Sequence, residues 1–388
     1  MLSDTKSTQC VYNETGRHKQ PLVPLLPFLY NALGACLIAT RPSPLIKAGA
    51  IVILVCALLY TTTTYTSKDP MLDYMVCTVS AIFMANIIPA AYDPDAIQSV
   101  RYEENDHQPL MEKPLLARLW LTLCILMNPR LVGTNAQHVS TPPPFKGTRK
   151  QFLAMRLLQF VTSAVMFVLL VPLAGMHSRF PESLVLPATT AAWIAGGALS
   201  LTMLHAAASF IAVAAHMSSP EAWPDLFGPY AEAYTVSRGW GRVWHQLVHS
   251  SCTRWSDAVH RALGIPRSTL VSRLVLVNVA FAVSGLVHSV GDLSYGGRAC
   301  FGRSWPFFAL NGLAVSFESI LTPYATRAGI SGRSRAWRLL GYVWVWAWFA
   351  YSLPPFQRWT LEIQIAGEPQ HSRVKDALLL FVQRFVPA

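Results

Sequence analysis

Leu274-Val275-Leu276-Val277-Asn278-Val279-Ala280-Phe281-Ala282-Val283-Ser284-Gly285-Leu286-Val287-His288-Ser289-Val290-Gly291 is the stretch that decides the fold. It runs 18 residues between Arg273 and Asp292, and His288 is its only titratable group. A helix of that length and apolarity spans about 30 Å of bilayer hydrocarbon, where an unpaired polar group costs several kcal/mol. An imidazole near the end of such a run serves either as a catalytic base or as a structural group that caps its helix or bonds a neighbouring carbonyl.

The pattern repeats along the chain. Composition is 52% hydrophobic and 13% charged, against about 25% charged in an ordinary soluble domain. Eight windows hold no more than one Asp, Glu, Lys or Arg: Pro21 to Thr40, Ala48 to Ser67, Tyr74 to Tyr92, Leu157 to Met176, Leu184 to Ala215, Leu274 to Gly291, Ser304 to Thr326 and Leu339 to Gln357. The expected architecture is all-α, a polytopic transmembrane helical bundle of about eight spans with interfacial helices. Residues 1–20 read as a polar N-terminal tail and 21–388 as a single membrane-embedded domain. The first apolar run has the length of a span and no small-residue cleavage site, so it is expected to be retained. The fifth window, 184–215, exceeds the length a span needs and is expected to tilt, kink near Gly196-Gly197 or run into the interface.

Seven cysteines are an odd number, and Cys36, Cys56, Cys77 and Cys124 sit in apolar surroundings without metal-ligand spacing. No disulfide framework and no metal site are expected. Arg41, Lys146, Arg149, Lys150, Arg238, Arg242, Arg254, Arg261, Arg267, Arg327, Arg333 and Arg335 fall in one set of connections; Arg17, Lys19, Lys68, Arg179, Arg298, Arg303 and Arg358 fall in the other. The positive-inside rule makes the first set cytosolic and both termini lumenal. The net charge of +11 follows from that asymmetry. No nucleic-acid module is visible, and the surplus can draw a phosphate-bearing cosubstrate from the cytosol.

Two cytosolic connections stand out. The first, from Asp93 to Lys150, carries an acidic patch at Glu103, Glu104 and Asp106. An apolar stretch from Leu115 to Pro129 follows, of interfacial or re-entrant length, and then Asn128-Pro129-Arg130-Leu131-Val132-Gly133-Thr134. The second, from His216 to Thr269, is punctuated by Pro220, Pro224 and Pro229. Beyond them a surface helix is expected from Arg242 to Leu263, with Val243, Leu247, Val259 and Leu263 at helical spacing and Trp244-His245 sharing a face with His249.

Three constellations offer chemistry. His245-x-x-x-His249 has the spacing of a shared metal, but no His-His dipeptide or supporting box accompanies it. Glu318, in an apolar run after Asn311, either protonates an olefin or epoxide to start a cyclisation, or holds a neighbouring Arg or His in place, His288 included. The third pairs His288 with Trp240-Gly241-Arg242-Val243-Trp244-His245-Gln246.

That third constellation carries a resemblance. Asn-Pro-Arg-x-x-Gly-Thr at 128–134, Arg-x-Trp-His-Gln at 242–246, Ser-Gly-x-x-His at 284–288 and the Phe307-Phe308…Glu318 span followed by Leu340 to Trp346 together resemble the wax-synthase-like branch of the membrane-bound O-acyltransferases, and more narrowly its fungal members that acetylate terpenoids or meroterpenoids. Leu131-Val132 stands where that branch more usually has Gly-Ile, and Asn135-Ala136-Gln137 lacks the aromatic or acidic residues often found there.

The resemblance implies acetyl transfer from acetyl-CoA, a cosubstrate rather than a bound cofactor, to a hydrophobic alcohol, by a multi-pass protein of the endoplasmic reticulum. It makes His288 the base that takes the alcohol proton and His245 an oxyanion donor, a cosubstrate-positioning group or a structural histidine. Arg242, Trp244, Asn128 and Arg130 are the expected acyl-CoA contacts; the plainer readings are interfacial anchors for the arginines and packing for the tryptophan. Glu318 and Asn311 are assigned to substrate or to structure. The alternatives are a wax-ester enzyme taking long-chain alcohols, a membrane terpene cyclase built on Glu318, and a transporter, for which no repeat symmetry is visible.

Overall fold

Aspartates and prolines set the helix ends that matter most. Asp69 accepts the N–H groups of Met71 and Leu72 at 2.9 and 3.0 Å, with Pro70 at the first helical position, where its missing N–H costs nothing. Asp73, one turn in, collects Ser67 N–H, Ser67 Oγ and Thr66 Oγ1 at 2.5 to 2.7 Å and pins the preceding loop onto the helix. Thr269 caps a later helix through Ser272 N–H at 3.1 Å.

The computed structural model describes residues 25–93, 97, 100–101, 108–174, 182–329 and 334–367. The longer helices are α1 (Leu26–Thr40), α2 (Pro44–Thr64), α3 (Pro70–Tyr92), α4 (Leu115–Met127), α5 (Arg149–Ala174), α6 (Glu182–Ala214), α7 (His249–Leu263), α8 (Leu270–Gly296), α9 (Trp305–Arg327), α10 (Arg335–Ser352) and α11 (Pro354–Gly367). No strand occurs among the described residues. Tail residues 1–20, the acidic patch at Glu103, Glu104 and Asp106, and Arg179 and Arg333 lie outside them.

Among the described residues, five segments are long and apolar enough to cross a membrane: Pro44–Thr64, Pro70–Tyr92, Arg149–Leu170, Ala188–Ala214 and Leu270–Ala299. The protein is integral to the membrane. The other three windows also form helix, as α1, α9 and α10 running into α11, without meeting both conditions. Leu115–Met127 is a 13-residue apolar helix, too short to span. Cys36, Cys56, Cys77, Cys124 and Cys252 are free thiols. Cys300 is disulfide-bonded, where the sequence suggested no disulfide.

The helices group into two compact units. The first takes residues to Pro129, Val248–Ser316 and Glu362–Gly367. There α3 packs on α1, α2, α7 and α8, and Tyr30, Leu58, Cys77, Met84 and Val287 form its buried core. The second takes Arg130–Leu247 and Phe317–Leu361, with α5 and α6 as its main helix pair.

The surface helix expected from Arg242 to Leu263 is not continuous. A wide turn over Gly239–Val243 ends in extended backbone at Trp244, and helix resumes only at His249. His245 and His249 therefore do not share a helix face. The break has a tertiary cause: Gly228 N–H claims the Val243 carbonyl at 2.9 Å, and Gln246 Nε2 donates to the carbonyls of Trp240 and Trp244 at 3.1 and 2.8 Å. Nor is α7 held by the aliphatic residues at helical spacing. Its buried face is Ser250, Ser251, Cys252, Ser256 and His260, while Leu263 is exposed. Ser256 Oγ donates to Leu276 O at 2.9 Å and Trp255 Nε1 to Ala85 O at 2.8 Å, so small polar side chains bring the backbones close.

Candidate active site

His288 sits on α8 one turn before Asp292, so both side chains lie on one face. Its ring stacks on Phe308 of α9, with centroids 4.6 Å apart and planes 17° from parallel. Its Nδ1 lies 3.0 Å from the Tyr74 hydroxyl of α3. Tyr74 Oη lies 3.4 Å from Ser304 Oγ. Ser304 then donates twice to Asp292, from Oγ to Oδ1 at 2.6 Å and from its backbone N–H to Oδ2 at 2.8 Å. Tyr74, Ser304 and Asp292 are buried, whereas His288 is half-buried.

Two glycines of α8 make this packing possible. A Cβ on Gly285 would stand 2.6 Å from the Trp305 ring, and one on Gly291 would stand 2.3 Å from Thr78 Oγ1 and 2.8 Å from the Tyr74 ring. The Ser-Gly-x-x-His spacing thus lets an aromatic residue approach the backbone one turn before the histidine. Asn311 is fully buried one turn after Phe308, its Nδ2 donating to Phe307 O at 2.8 Å. Asn128 caps the C-terminus of α4, its N–H 3.3 Å from Ile125 O.

Arg242, Trp244 and His245 belong to the second unit, Arg242 within the wide turn and Trp244 and His245 on the strap that follows it. Trp244 packs edge-on to Phe227 at 5.3 Å and near Trp240 at 6.1 Å. His245 lies 5.3 Å from Trp244 and 6.2 Å from Phe227, ring to ring. Arg242 is 56% exposed. Its Nη1 is 3.9 Å from Glu232, which also pairs with Arg238 and, at 3.0 Å, with Arg338. Three guanidinium groups thus share one carboxylate, and burial, then the charges of Arg242 and Arg338, pull the pKa of Arg238 down.

Arg130 has other work. Its Nη1 donates to Asp225 O at 2.7 Å and its Nη2 to Pro224 O at 3.0 Å. Arg156 of α5, 1% exposed, holds the same loop through Asp225 Oδ1 at 2.8 Å and Trp223 O at 2.5 Å. Burial, then the Arg156 charge, brings Arg130 down to about 10, with Asp225 opposing. Arg130, one of the expected acyl-CoA contacts, thus clamps residues 223–225.

Glu318 is likewise occupied. Its Oε1 accepts Val236 N–H at 2.7 Å and Trp344 Nε1–H at 2.8 Å, and its Oε2 accepts Ser237 N–H at 2.8 Å. It caps the segment leading into the Gly239–Val243 turn. Tyr74, Ser304, Asp292, Glu232, Arg238 and Arg338 escaped the sequence reading; the only signal for Asp292 was its place four residues after His288. Among the described residues no group of three His, Cys, Asp or Glu is placed to hold a metal ion.

Residues 223–310, which contain both the Arg242–Gln246 segment and His288, match the model of the Membrane bound O-acyl transferase family. The acetyltransferase ple2 of Rhodocybe pseudopiperita is 28% identical over 85% of this chain and 88% of its own length. The acetyltransferase eriL of Hericium erinaceus is 28% identical over 86% and 90%. The acetyltransferase sirH of Emericella nidulans is 36% identical over 40% of this chain and 37% of its own. No solved structure matches.

Proposed function

We propose that this enzyme, a membrane-bound O-acyltransferase resembling the fungal acetyltransferases, moves an acetyl group from acetyl-CoA to a hydroxyl of a hydrophobic terpenoid or meroterpenoid, in fungal secondary metabolism at the endoplasmic reticulum. One observation carries the reading. His288 is an imidazole held on two sides, by the Phe308 ring and the Tyr74 hydroxyl, in a helix run that has no other ionisable group. A histidine so held is preorganised for proton transfer, the task to which imidazole is suited.

His288 takes the proton of the acceptor hydroxyl as the oxygen attacks the thioester carbonyl. The tetrahedral intermediate collapses, the C–S bond breaks, and the proton passes to the leaving sulfur, giving an acetyl ester and free CoA. Arg242 meets the phosphates of acetyl-CoA, supported by the exposed position of its guanidinium and the surplus of positive charge around Glu232. Trp244 holds the strap that follows Arg242. His245 offers an N–H donor toward the acyl-CoA. Asn311 bonds the Phe307 carbonyl within α9, and Asn128 ends α4. In this reading Arg130 and Glu318 take structural parts, supported by the backbone groups each one holds.

Microsomes expressing the protein, given labelled acetyl-CoA and a terpenoid extract, will place label in an organic-soluble ester, and His288→Ala microsomes with equal protein content will not. Label confined to long-chain alcohols identifies the wax-ester activity instead, and unlabelled isomerised products overturn acyl transfer.

A further inference from the structure

We propose that Tyr74, Ser304 and Asp292 form a directed hydrogen-bond chain that fixes the tautomer of His288, which makes Tyr74 and Asp292 positioning residues for the transfer; this rests on His288 being the base.

The direction follows from counting protons. Ser304 commits its backbone N–H and its one hydroxyl proton to the two oxygens of Asp292, at 2.8 and 2.6 Å. Its Oγ then has only lone pairs to offer, so in the proposed chain the Tyr74 hydroxyl, 3.4 Å away, donates to it in preference to Thr78, the other hydroxyl beside Tyr74. With its proton so directed, Tyr74 Oη can only accept from His288 Nδ1 at 3.0 Å. Nδ1 therefore carries the hydrogen, and Nε2 carries the lone pair a base needs. Run in reverse, with Tyr74 donating to Nδ1, the chain would leave Nε2 protonated and unable to accept.

Burial gives the arrangement its force. Asp292 and Ser304 are fully buried and Tyr74 is 6% exposed, so water does not scramble the order of donors and each bond polarises the next. The loosest link, between Tyr74 and Ser304, is of the kind that shortens when substrate closes a site. Asp292 also accounts for a carboxylate that the reaction does not otherwise use.

The test compares Tyr74→Phe, Ser304→Ala, Ser304→Thr, Asp292→Asn, the Tyr74→Phe/Ser304→Ala double variant and His288→Ala in microsomes at matched protein content. Tyr74→Phe and Ser304→Ala should each lower kcat about ten- to a hundredfold, within the range of acid–base effects, with the acetyl-CoA KM unchanged. Ser304→Thr should restore most of the rate, and the double variant should be no slower than the slower single. Asp292→Asn should match the others; if it fails to accumulate, Tyr74→Phe and Ser304→Ala decide. Wild-type kcat in Tyr74→Phe beside a dead His288→Ala overturns the chain and leaves the base standing. An active His288→Ala overturns the reading beneath it.

Discussion

Gly228 lies directly under the carbonyl of Arg242: its N–H donates to Val243 O at 2.9 Å, and a Cβ added to it would stand 2.1 Å from the Arg242 oxygen. No side chain fits that gap, and the contact decides whether the chain from Gly239 continues as helix or turns into the strap.

Gly228→Ala is therefore expected to push the two backbone segments apart. The cost is about 1–3 kcal/mol, the usual toll of overpacking, read as a lower melting midpoint of the detergent-solubilised protein. The acetyl-CoA KM should rise with it, because Arg242 moves. An unchanged midpoint would show that the loop yields freely and does not shape the strap.

Arg242→Ala should raise the acetyl-CoA KM about tenfold with kcat unchanged, the low end for a charge-assisted hydrogen bond because the side chain is 56% exposed. Added salt should raise the wild-type KM and barely affect the variant. If both proteins respond to salt alike, the phosphates lie elsewhere.

Glu318→Gln separates a cap from an acid. The carboxylate accepts Val236 N–H, Ser237 N–H and the Trp344 indole, and an amide at that place turns a donor toward at least one of them. A loss of about 1–3 kcal/mol of stability is expected, with turnover per folded molecule preserved. Lost turnover at an unchanged melting midpoint would return Glu318 to the chemistry.

Much of the helical layout is written locally. Each of the eight apolar windows forms helix over most of its described length, because apolar runs in hydrocarbon have no other way to satisfy their backbone. The break after Val243 is not local: it depends on Gly228 and Gln246, while the i, i+4 pairs Val243/Leu247 and Val259/Leu263 read as helix on either side of it. The docking of α7 was hidden for a related reason, since its buried face is serine and cysteine, which a hydrophobic period does not register. His288 announced itself through an otherwise uncharged run. Tyr74 could not, being 214 residues away and looking like an ordinary aromatic at a helix start. Arg130 and Arg242 look alike in sequence; only burial separates a loop clamp from an exposed guanidinium.

Leu131 offers a last contrast. It adopts φ 51°, in the left-handed region, at the position where the resembling branch more usually has glycine, and Gly133 adopts φ 74° two residues later. The left-handed conformation costs a side-chain-bearing residue about 1–2 kcal/mol, while glycine's extra freedom when unfolded gives back about 0.5–1 kcal/mol. Leu131→Gly should therefore leave the melting midpoint unchanged or raise it slightly. Gly133→Ala, which introduces the strain that Leu131→Gly removes, should lower it by a similarly small amount. Equal losses in the two variants would mean that the Leu131 side chain is held by packing strong enough to outweigh its backbone, and that this chain has rebuilt the loop around leucine.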